Sequence, residues 1–591
     1  MPLASYKNKK SQDIKTAVVV YPFTYANPYQ TMPPIAAEYL QAYLLDAGVE
    51  TELFDLRFES DLEVLREPVA KADLVCFYGH FEDCSLFGTW KYHSIPEVMR
   101  MIPESTPVIA GGTGFEDPQQ SLKDHPRLDV VIRGNPEYPV KQILKTGAPE
   151  EAPNTIYRQG EEFIETPLSH AHNALSETVY PRRDRRKDHY RYQAFGIELD
   201  LVRAAVGCNY RCKFCYQFGK DFEGNFIKWQ GRSAQSLYNE MSEIRAPMVG
   251  WVDDDMTTNM QTLSELADLL LKNKVRKIWG GTGRVDHVIK SDVPTLKKLE
   301  KAGLFALSFG VEALKPETLR FYGKGQTIEK IEQAMEMMNQ TNVLLLCNFI
   351  IGSPGENRKD IMDMLWFGRK WNVDSMVTNR LRIPENTTMW DAVYEKDGTI
   401  RPGKEMMPDH EVAEMKYKLK FGQRTPFRIM MTVFKMYRHR GFFLEPVSFL
   451  FSIFETLIRH TWLEKTRVLP WFFAFNKWLL NLPPVRWLSR AMAYILSPLL
   501  YATNWVFERM DKALGISTFI LPKILLAFRD KVYRKQQVVS QVSGVDYETP
   551  EAKAEKARCE AEEAGMVSRE DYHSPPSREE SKKTGAGAGV A

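Results

Sequence analysis

Residues 198–215 read ELDLVRAAVGCNYRCKFC, an apolar run that leads into a loop with three cysteines. The run from Glu198 to Ala204 predicts a buried β-strand that ends where the loop begins. Cys208, Cys212 and Cys215 follow the spacing C-x-x-x-C-x-x-C. Three thiolates can hold a 4Fe-4S cluster and leave one iron without a protein ligand. The stretch therefore predicts an iron–sulfur site at the carboxyl end of a strand.

Two other interpretations of these cysteines remain open, a structural zinc site and incidental cysteines. Structural zinc normally takes four closed ligands, whereas this loop offers three. The chain has seven cysteines in all, and their clustering differs from the even framework of a disulfide-stapled secreted protein. A reducing compartment is expected. The polar N-terminus, Met1 to Lys15, has no signal-sequence pattern, so we expect the chain to start in the cytosol.

The 591 residues are too many for one hydrophobic core, so we expect several domains. On both sides of the cysteine loop, short apolar runs alternate with helical patterns. Residues 196–400 contain six predicted strands, which indicate a partial (β/α)6 barrel with its active site at the carboxyl ends of the strands. Residues 1–150 contain a similar series, which predicts a doubly wound, Rossmann-like α/β domain. Residues 151–195, rich in Glu, Pro, His and Arg, are expected to be a linker.

Short polar segments stand at the ends of the predicted barrel strands: WVDDD at 251–255, WGGTGR at 279–284 followed by Asp286, GVE at 310–312 and FIIGSPGE at 349–356. Together with the cysteine motif, they resemble the radical S-adenosylmethionine superfamily, and within it the group that carries an N-terminal cobalamin-binding domain. The resemblance covers about residues 15–400. It implies that the open iron binds S-adenosylmethionine, and that an electron from the cluster gives a 5′-deoxyadenosyl radical able to abstract hydrogen from an unactivated carbon.

The resemblance also assigns S-adenosylmethionine binding to four residues. Phe214 occupies the aromatic position before the last cysteine that is typical of the superfamily. In members of the family, acidic and arginine residues at the ends of the barrel strands hold the ribose, amine and carboxylate of S-adenosylmethionine. The resemblance assigns this binding role to Asp254, Arg284 and Glu312. An acceptor for ribose hydroxyls and a cation for a carboxylate suit this ligand. The alternative for each residue is an ordinary ion pair at the barrel rim.

The N-terminal unit resembles the cobalamin domain of this group through TMPPIAAEYLQAYLL at 31–45, GGT at 111–113 and RGNPE at 133–137. The chain has no D-x-H-x-x-G motif to supply a histidine for cobalt, and Asn135-Pro136 departs from the Gly or Glu common in the family. A degenerate domain that keeps only the fold is the alternative. The resemblance assigns cobalamin binding to Thr31, Met32, Gly111, Gly112, Thr113, Arg133 and Gly134.

Residues 401–540 are dense in Trp, Phe and Leu, with single basic residues between them. This pattern predicts helices that lie in a membrane interface; the alternative is a helical domain that packs its aromatics into its own core or over the barrel mouth. The longest uncharged run, Ala491 to Phe507, contains Pro498 and is too short to cross a bilayer. Residues 541–591 are expected to be disordered.

Three functions remain open from the sequence. The first is cobalamin-dependent radical methylation of an unactivated carbon; the second is radical oxidative cyclisation or carbon–carbon coupling on a lipid-like or macrocyclic substrate. The third is a non-catalytic, membrane-associated regulator, which the intact cysteine motif disfavours. Cys76, Cys84, Cys347 and Cys559 form no second triad, which argues against a methylthiotransferase.

The partners follow from composition. The apolar C-terminal region favours a hydrophobic or lipid substrate and peripheral association with the inner face of a membrane. Reduction of the cluster requires an external electron donor. A formal net charge of +2 gives no reason to expect nucleic acid as a partner.

Overall fold

The computed structural model describes residues 14–22, 33–56, 61–79, 94–112, 115, 118–160, 162–169, 175–186, 193–194, 197–215, 229–383, 387–450, 468–480 and 482–516. All of them lie within one compact unit, Met1–Phe519. Two largely parallel sheets organise this unit. The predicted disordered segment, 541–591, falls outside the described residues.

The N-terminal sheet contains β1 (Thr16–Tyr21), β2 (Glu50–Asp55), β3 (Leu74–Tyr78), β4 (Val108–Gly111), β5 (Val130–Ile132), β6 (Thr155–Gln159) and β7 (Glu162–Glu165). The strand order is β2-β1-β3-β4-β5-β6-β7, parallel as far as β5 and antiparallel beyond it. On β1, Val19 and Tyr21 are buried on one face, while Val18 and Val20 are buried on the other. Burial on both faces confirms the predicted doubly wound fold.

The helices of this half are α1 (Ile35–Asp46), α2 (Arg66–Lys71), α3 (Ser94–Met99), α4 (Pro118–Asp124) and α5 (Glu137–Thr146). The sheet extends further than expected, because β6 and β7 lie in residues 151–195, where the sequence predicts a linker. The hydroxyls of Thr155 and Thr166 are 3.1 Å apart across this hairpin, and both are buried. The alternation in TIYRQ and EFIE is too short to stand out among polar residues.

The second sheet has the order β16-β15-β14-β13-β12-β9-β8, and all its pairs are parallel except β8 with β9. A short antiparallel pair, β10 with β11, follows β9. The strands are β8 (Gln193–Ala194), β9 (Ile197–Val202), β10 (Ala205–Val206), β11 (Gln230–Gly231), β12 (Met248–Trp251), β13 (Ile278–Gly283), β14 (Leu304–Glu312), β15 (Leu344–Ile351) and β16 (Ser375–Arg380). The parallel strands from β9 to β16 confirm the partial barrel.

Helices cover the outer face of the barrel sheet: α6 (Ala234–Glu243), α7 (Met260–Lys272), α8 (Val285–Val288), α9 (Val293–Lys301), α10 (Pro316–Tyr322), α11 (Ile328–Met338) and α12 (Arg358–Lys370). Strand β15 shows the two faces clearly. Leu345, Cys347, Phe349 and Ile351 are fully buried in the core under the helices, whereas the residues between them are half-buried and line the concave side. Side chains that meet a ligand inside the barrel must come from this concave set.

The C-terminal helices are α13 (Trp390–Val393), α14 (Asp409–Gln423), α15 (Pro426–Arg438), α16 (Val468–Leu480) and α17 (Pro483–Leu514). Helix α15 and the turn after it close the amino ends of the barrel strands: Met436 and Phe442 pack against Ile278 and Phe305. His439 donates to the Leu304 carbonyl at 2.6 Å. Helix α15 and the turn after it therefore pack against the barrel end opposite the cysteine loop. At the other end, the Met389 amide at the start of α13 donates to the Lys213 carbonyl of the cysteine loop at 3.2 Å.

The described helices contain no segment both long enough and apolar enough to span a bilayer.

Candidate active site

The loop with the three cysteines (residues 207–215, the cluster loop) follows β10 at the carboxyl end of the barrel sheet. Asp253, just after β12, accepts hydrogen bonds from the two backbone amides after Arg203, at 2.8 and 3.0 Å. Near the other end of the loop, the Lys213 amide donates to the Tyr322 carbonyl at 2.8 Å. Contacts from a neighbouring strand end and from α10 therefore fix the position of the loop.

Cys208, Cys212 and Cys215 are half-buried, and none forms a disulfide. The amide of Cys215 donates to the Cys212 carbonyl at 3.0 Å, so the last two cysteines share one tight turn. Burial raises the pKa of the Cys208 thiol. Among the described residues, no three His, Cys, Asp or Glu side chains converge closely enough for a single metal ion. Three partly accessible thiols on one loop fit a larger iron–sulfur cluster better than one zinc ion.

Phe214 anchors the cluster loop to the barrel. Its ring meets the ring of buried Tyr322 edge to face, with centroids 5.3 Å apart, and packs against the barrel core. The Lys324 ammonium lies 5.9 Å from the Phe214 ring centroid. The predicted ligand-binding role of Phe214 remains a prediction, while its packing role is visible.

Glu312 ends β14 in an unusual backbone conformation, with φ of +66°. The pairing of β14 with β15 shifts register between Gly310 and Glu312, as at a β-bulge. The carboxylate lies over Gly310, where a Cβ would collide with it, and pairs with the Lys324 ammonium at 2.7 Å. Strained residues of this kind cluster at functional sites. The geometry presents Glu312 at the mouth of the barrel; its binding of ribose stays a prediction.

Arg284, just after β13, is buried and contacts the cluster loop directly. One guanidinium nitrogen is 3.8 Å from Cys212 Sγ, and the other donates to Asp286 at 2.9 Å and to the Lys324 carbonyl at 2.8 Å. Its guanidinium carbon lies 3.4 Å from the ring centroid of Tyr210. The structure thus places Arg284 beside a cysteine of the motif; its binding of a ligand carboxylate stays a prediction.

The acidic run after β12 divides into residues with different surroundings. Asp253 and Asp255 are buried, whereas Asp254 is exposed. Burial raises the pKa of Asp253 to about 7, although its two amide hydrogen bonds oppose the shift. The carbonyls of Asp253 and Asp254 accept from the Thr282 hydroxyl at 2.7 and 3.0 Å, which ties this turn to β13. Of the three, Asp254 is the residue most accessible to a ligand.

Three residues at the carboxyl end of the barrel were not predicted as site residues from the sequence: Lys324, Tyr210 and His287. Lys324 stands between Gly323 and Gly325, and both glycines have positive φ. A Gly-Lys-Gly triplet is a turn signal that could have drawn attention to the lysine. Tyr210 and His287 lie 77 positions apart, yet the tyrosine oxygen and the histidine Nε2 are 3.0 Å apart. No local pattern predicts that contact.

The concave side of β14, β15 and β16 forms a wall beside Glu312. Leu346 pairs with Ser308 on one side, and Asn348 pairs with Val377 on the other. The Asn348 amide nitrogen donates to the Ser308 hydroxyl at 3.0 Å. Val377 is 40% exposed, a large fraction for an apolar side chain on a sheet. The wall combines apolar side chains with two side-chain amides, those of Asn348 and Asn379.

The predicted cobalamin residues gather at the carboxyl edge of the N-terminal sheet, as far as they are described. Gly112 has φ of +97°, donates its amide to the Gly134 carbonyl at 3.0 Å, and approaches Gly79 so closely that a Cβ would collide with the Gly79 carbonyl. Gly111, which is buried against Pro136, and Gly134, which has φ of +74°, lie at the same edge, called here the glycine edge. The Arg133 side chain points to β7 instead and pairs with Glu165. Thr31, Met32 and Thr113 lie outside the described residues.

The two sheets meet at Arg203, directly after β9. Its buried guanidinium pairs with Glu137, lies 3.4 Å from the Asn135 amide oxygen, and stacks 4.6 Å from the ring centroid of Tyr39. Asn135 and Glu137 belong to the predicted cobalamin segment RGNPE. The glycine edge of the N-terminal sheet therefore adjoins the strand that leads into the cluster loop.

Comparisons with known proteins agree with this geometry. The Radical SAM superfamily model matches residues 202–367, which include the cluster loop and both ends of β12 to β15. An uncharacterized methyltransferase, PH0819, of Pyrococcus horikoshii is 22% identical over 362 residues, 58% of this chain and 74% of that protein. A hopanoid C-3 methylase of Methylococcus capsulatus is 26% identical over 57% of this chain and 64% of its own length. An anaerobic magnesium-protoporphyrin IX monomethyl ester cyclase of Cereibacter sphaeroides is 24% identical over 47% of this chain and 46% of its own length.

Two solved structures share the fold. The radical S-adenosylmethionine methyltransferase TsrM from Kitasatospora setae, with cobalamin and a [4Fe-4S] cluster bound, has a TM-score of 0.55 and 18% identity over 66% of this chain and 80% of its own. The cobalamin-dependent S-adenosylmethionine radical enzyme OxsB has a TM-score of 0.54 and 14% identity over 92% of this chain and 83% of its own. The cysteine loop, the partial barrel and these matches together identify residues 202–367 as a domain of the Radical SAM superfamily, and the chain as an enzyme that carries this domain.

Proposed function

We propose that this enzyme methylates an unactivated carbon of a hydrophobic substrate with the help of cobalamin. The observation that carries the proposal is the meeting of the two sheets, where Arg203 of the barrel contacts Asn135 and Glu137 beside the glycine edge. A methyl donor and a radical source must both reach one substrate atom, so their sites must adjoin. In this proposal the cluster and S-adenosylmethionine supply the radical, and cobalamin supplies the methyl group.

The chain's own residues have separate tasks in this scheme. The three cysteines of the cluster loop hold the cluster, and Phe214 fixes the loop against Tyr322. Glu312 accepts hydrogen bonds from ribose, Arg284 binds the carboxylate, and Asp254 is a further acceptor at the same rim. The Lys324 ammonium donates to the Glu312 carboxylate at 2.7 Å and so holds this side chain in place at the rim.

The glycine edge has the corresponding task for cobalamin. Gly111 and Gly112 allow Pro136 and the Gly79 carbonyl to approach the backbone closely, which sets the shape of this edge. The remaining assigned residues, Thr31, Met32 and Thr113, follow β1 and β4 in the sequence. Arg133 is the weakest of these assignments, because its side chain is already paired with Glu165.

The wall on β14 to β16 supports a hydrophobic substrate. Leu346, Ile350 and Val377 present apolar surface beside Glu312, where substrate and ligand would meet. Asn348 gives its amide hydrogen to Ser308, so its oxygen faces the same side as an acceptor for one polar group of the substrate. The hopanoid methylase and porphyrin cyclase relatives are named for large hydrophobic substrates, which supports this substrate class.

The direct test follows the methyl group. The full chain is reconstituted anaerobically with iron, sulfide and hydroxocobalamin, reduced, and incubated with methyl-deuterated S-adenosylmethionine and a bacterial membrane lipid extract. We expect 5′-deoxyadenosine and a lipid that carries deuterated methyl. Absence of label in every lipid, with nucleoside still formed, contradicts methylation and favours the second function, cyclisation or coupling, as in the Cereibacter relative.

A matched pair of variants separates the cobalamin edge from general effects of backbone strain. Gly112→Ala places a Cβ against the Gly79 carbonyl at the proposed cobalamin edge. Gly48→Ala has a comparable positive φ of +82° before β2, with nothing within 4 Å of the added Cβ. We expect Gly112→Ala to lose bound cobalamin and methyl transfer yet keep nucleoside formation, and Gly48→Ala to keep all three. Equal retention of cobalamin by both variants argues against this edge.

The exposed apolar face of α16 and α17 supports peripheral binding to the cytoplasmic face of a membrane. Trp471 (66% exposed), Trp478 (59%), Trp487 (73%) and Ile495 (73%) project from these helices. So many exposed indole and aliphatic side chains on two helices are unusual on a surface that meets only water. Arg509 lies 3.8 Å from the ring centroid of Trp505, another exposed indole, as a cation does beside an indole at lipid headgroups. The occupant proposed is an anionic bilayer.

Vesicle flotation tests this part. We expect the chain to float with vesicles of phosphatidylcholine and phosphatidylglycerol and less with phosphatidylcholine alone. A Trp478→Ala, Trp487→Ala double variant should lose flotation, whereas Val64→Ala, which removes an exposed apolar residue of the N-terminal half, should not. Unchanged flotation of the double variant contradicts membrane docking through this face.

A further inference from the structure

A chain of four contacts leads from the floor of the barrel mouth to the second cysteine of the motif. The His287 Nδ1 lies 3.0 Å from an Asp255 carboxylate oxygen, and its Nε2 lies 3.0 Å from the Tyr210 hydroxyl. The Tyr210 ring lies 3.4 Å from the guanidinium carbon of Arg284, and that guanidinium is 3.8 Å from Cys212 Sγ. The first three members carry no assigned role so far.

Both ring nitrogens of His287 have a partner. The Nδ1 faces the Asp255 carboxylate; burial opposes ionisation of that carboxyl, but its contacts with His287 and Thr257 outweigh burial and lower its pKa. The Nε2 lies within hydrogen-bond distance of the Tyr210 hydroxyl. His287 therefore fixes the position of that hydroxyl and, with it, the plane of the tyrosine ring.

The surroundings hold this arrangement rigidly. Thr257 donates its hydroxyl to Asp255 at 2.7 Å and accepts the Arg284 amide at 3.0 Å. At Gly283 a Cβ would stand 2.6 Å from a Thr257 methyl group, so β13 approaches this turn closely only because the residue is glycine. His287, Asp255 and Arg284 are all buried. The contacts join the ends of β12 and β13 and the cluster loop into one unit.

The position of Arg284 depends on opposing contacts. Asp286 and the Lys324 carbonyl hold one nitrogen of the guanidinium, and the Nε is buried without a partner among the described residues. The Tyr210 ring covers one face of the guanidinium. Without the tyrosine in this plane, the guanidinium is free to move toward Asp286 and away from Cys212.

We propose that Tyr210, His287 and Asp255 are positioning residues that hold the Arg284 guanidinium against Cys212 and thereby set the reduction potential of the cluster. The inference rests on the proposed cluster but adds residues that the family resemblance did not assign. Hydrogen bonds and positive charge near a ligating sulfur raise the potential of an iron–sulfur cluster. The arrangement makes the cluster easier to reduce, and reduction precedes every later step.

The test compares reduction potentials in the anaerobically reconstituted full chain, by redox titration followed by electron paramagnetic resonance. His287→Leu removes both hydrogen bonds of the imidazole, and we expect a more negative potential and a fall of about tenfold in 5′-deoxyadenosine formation at fixed dithionite. Tyr210→Phe keeps the ring but loses the hydroxyl, so its shift should be smaller. His287→Gln can accept from Tyr210 and donate to Asp255, and should restore much of the potential.

Controls separate this effect from folding and from the proposed function. His439→Leu removes another buried imidazole, at the amino end of the barrel, and should leave the potential unchanged. Wild-type potential in His287→Leu and Tyr210→Phe, each with full iron content, overturns the inference. If His287→Leu does not fold, Tyr210→Phe decides alone. Wild-type chain that binds no cluster refutes the proposed function instead.

Discussion

The two ends of the barrel sheet are built from contrasting residues. At the carboxyl end, three half-buried thiols lie beside buried charges such as Arg284 and Glu312, together with glycines and positive backbone angles. At the amino end, Phe305 stacks on Phe442 with centroids 4.9 Å apart, and α15 closes the opening. The carboxyl end keeps polar and strained groups that cost stability, whereas the amino end packs apolar side chains. In the same set of strands, the residues for the reaction therefore lie at the carboxyl end, and the residues that stabilise the fold lie at the amino end.

Loss of a cysteine at the carboxyl end should have the largest effect. We expect Cys215→Ala to abolish cluster assembly, because two thiolates cannot hold the cluster that three hold. Cys347→Ala is the matched control, since this cysteine is fully buried on the outer face of β15. Iron and sulfide content after anaerobic reconstitution, with the visible absorption spectrum, measures the difference. A full cluster in Cys215→Ala would show that the loop is not the site.

A change at the amino end should reduce stability and leave the chemistry intact. Phe442→Ala removes a ring that is 1% exposed, and we expect the free energy of unfolding to fall by about 3 to 5 kcal/mol. Urea unfolding followed by tryptophan fluorescence gives this value. The rate of 5′-deoxyadenosine formation per folded chain should match that of wild type. A lower rate in chains that remain folded would contradict the proposed difference between the two ends of the barrel.

A milder change at the carboxyl end should affect ligand affinity. Glu312→Gln weakens the proposed ribose acceptor and leaves the buried Lys324 without its charged partner. We expect the KM for S-adenosylmethionine to rise about tenfold. Glu317→Gln, which breaks an exposed pair with Arg320 on α10, is the control and should not change KM. Equal KM values for both variants would contradict the assignment of Glu312.

The last effect concerns pH and is small for each pH unit. The folded protein holds the Asp253 pKa near 7, above the unfolded value, so the native state binds a proton that the unfolded state releases. Stability should therefore fall as pH rises from about 4 to 7, by at most about 1.4 kcal/mol per pH unit for one group. Asp253→Asn resembles the protonated form and should lose this slope. Melting temperatures of both proteins between pH 5 and 8 check it; parallel curves would contradict it.

Periodic apolar runs were enough to predict both sheets, because strands such as AVVVY and LLLCNFII are buried by the fold in the way their sequence suggests. The cysteine motif was predictable from spacing alone. The hairpin of β6 and β7 was not, since its alternation is short and lies among charged residues. The helices after residue 401 were expected, but the place of α15 at the amino end of the barrel depends on long-range contacts such as His439 with Leu304.

The contacts of the site show the same limit. The family resemblance assigned roles to Glu312 and Arg284 from their positions at strand ends. It did not predict the residues that hold these two side chains in place. Lys324 reaches Glu312 through a turn whose geometry depends on two glycines. Arg133, which the motif assigned to cobalamin, pairs with Glu165 from the hairpin that the sequence did not reveal. Pairings between distant residues are set by the fold and leave no local pattern.

The central claim is that the carboxyl end of the barrel holds a cluster that cleaves S-adenosylmethionine. The direct measurement is 5′-deoxyadenosine formed by the anaerobically reconstituted chain under dithionite, compared with Cys212→Ala prepared in the same way. The account predicts nucleoside from wild type and none above background from the variant. No nucleoside from wild type that carries a full complement of iron and sulfide, or equal amounts from both proteins, would contradict it.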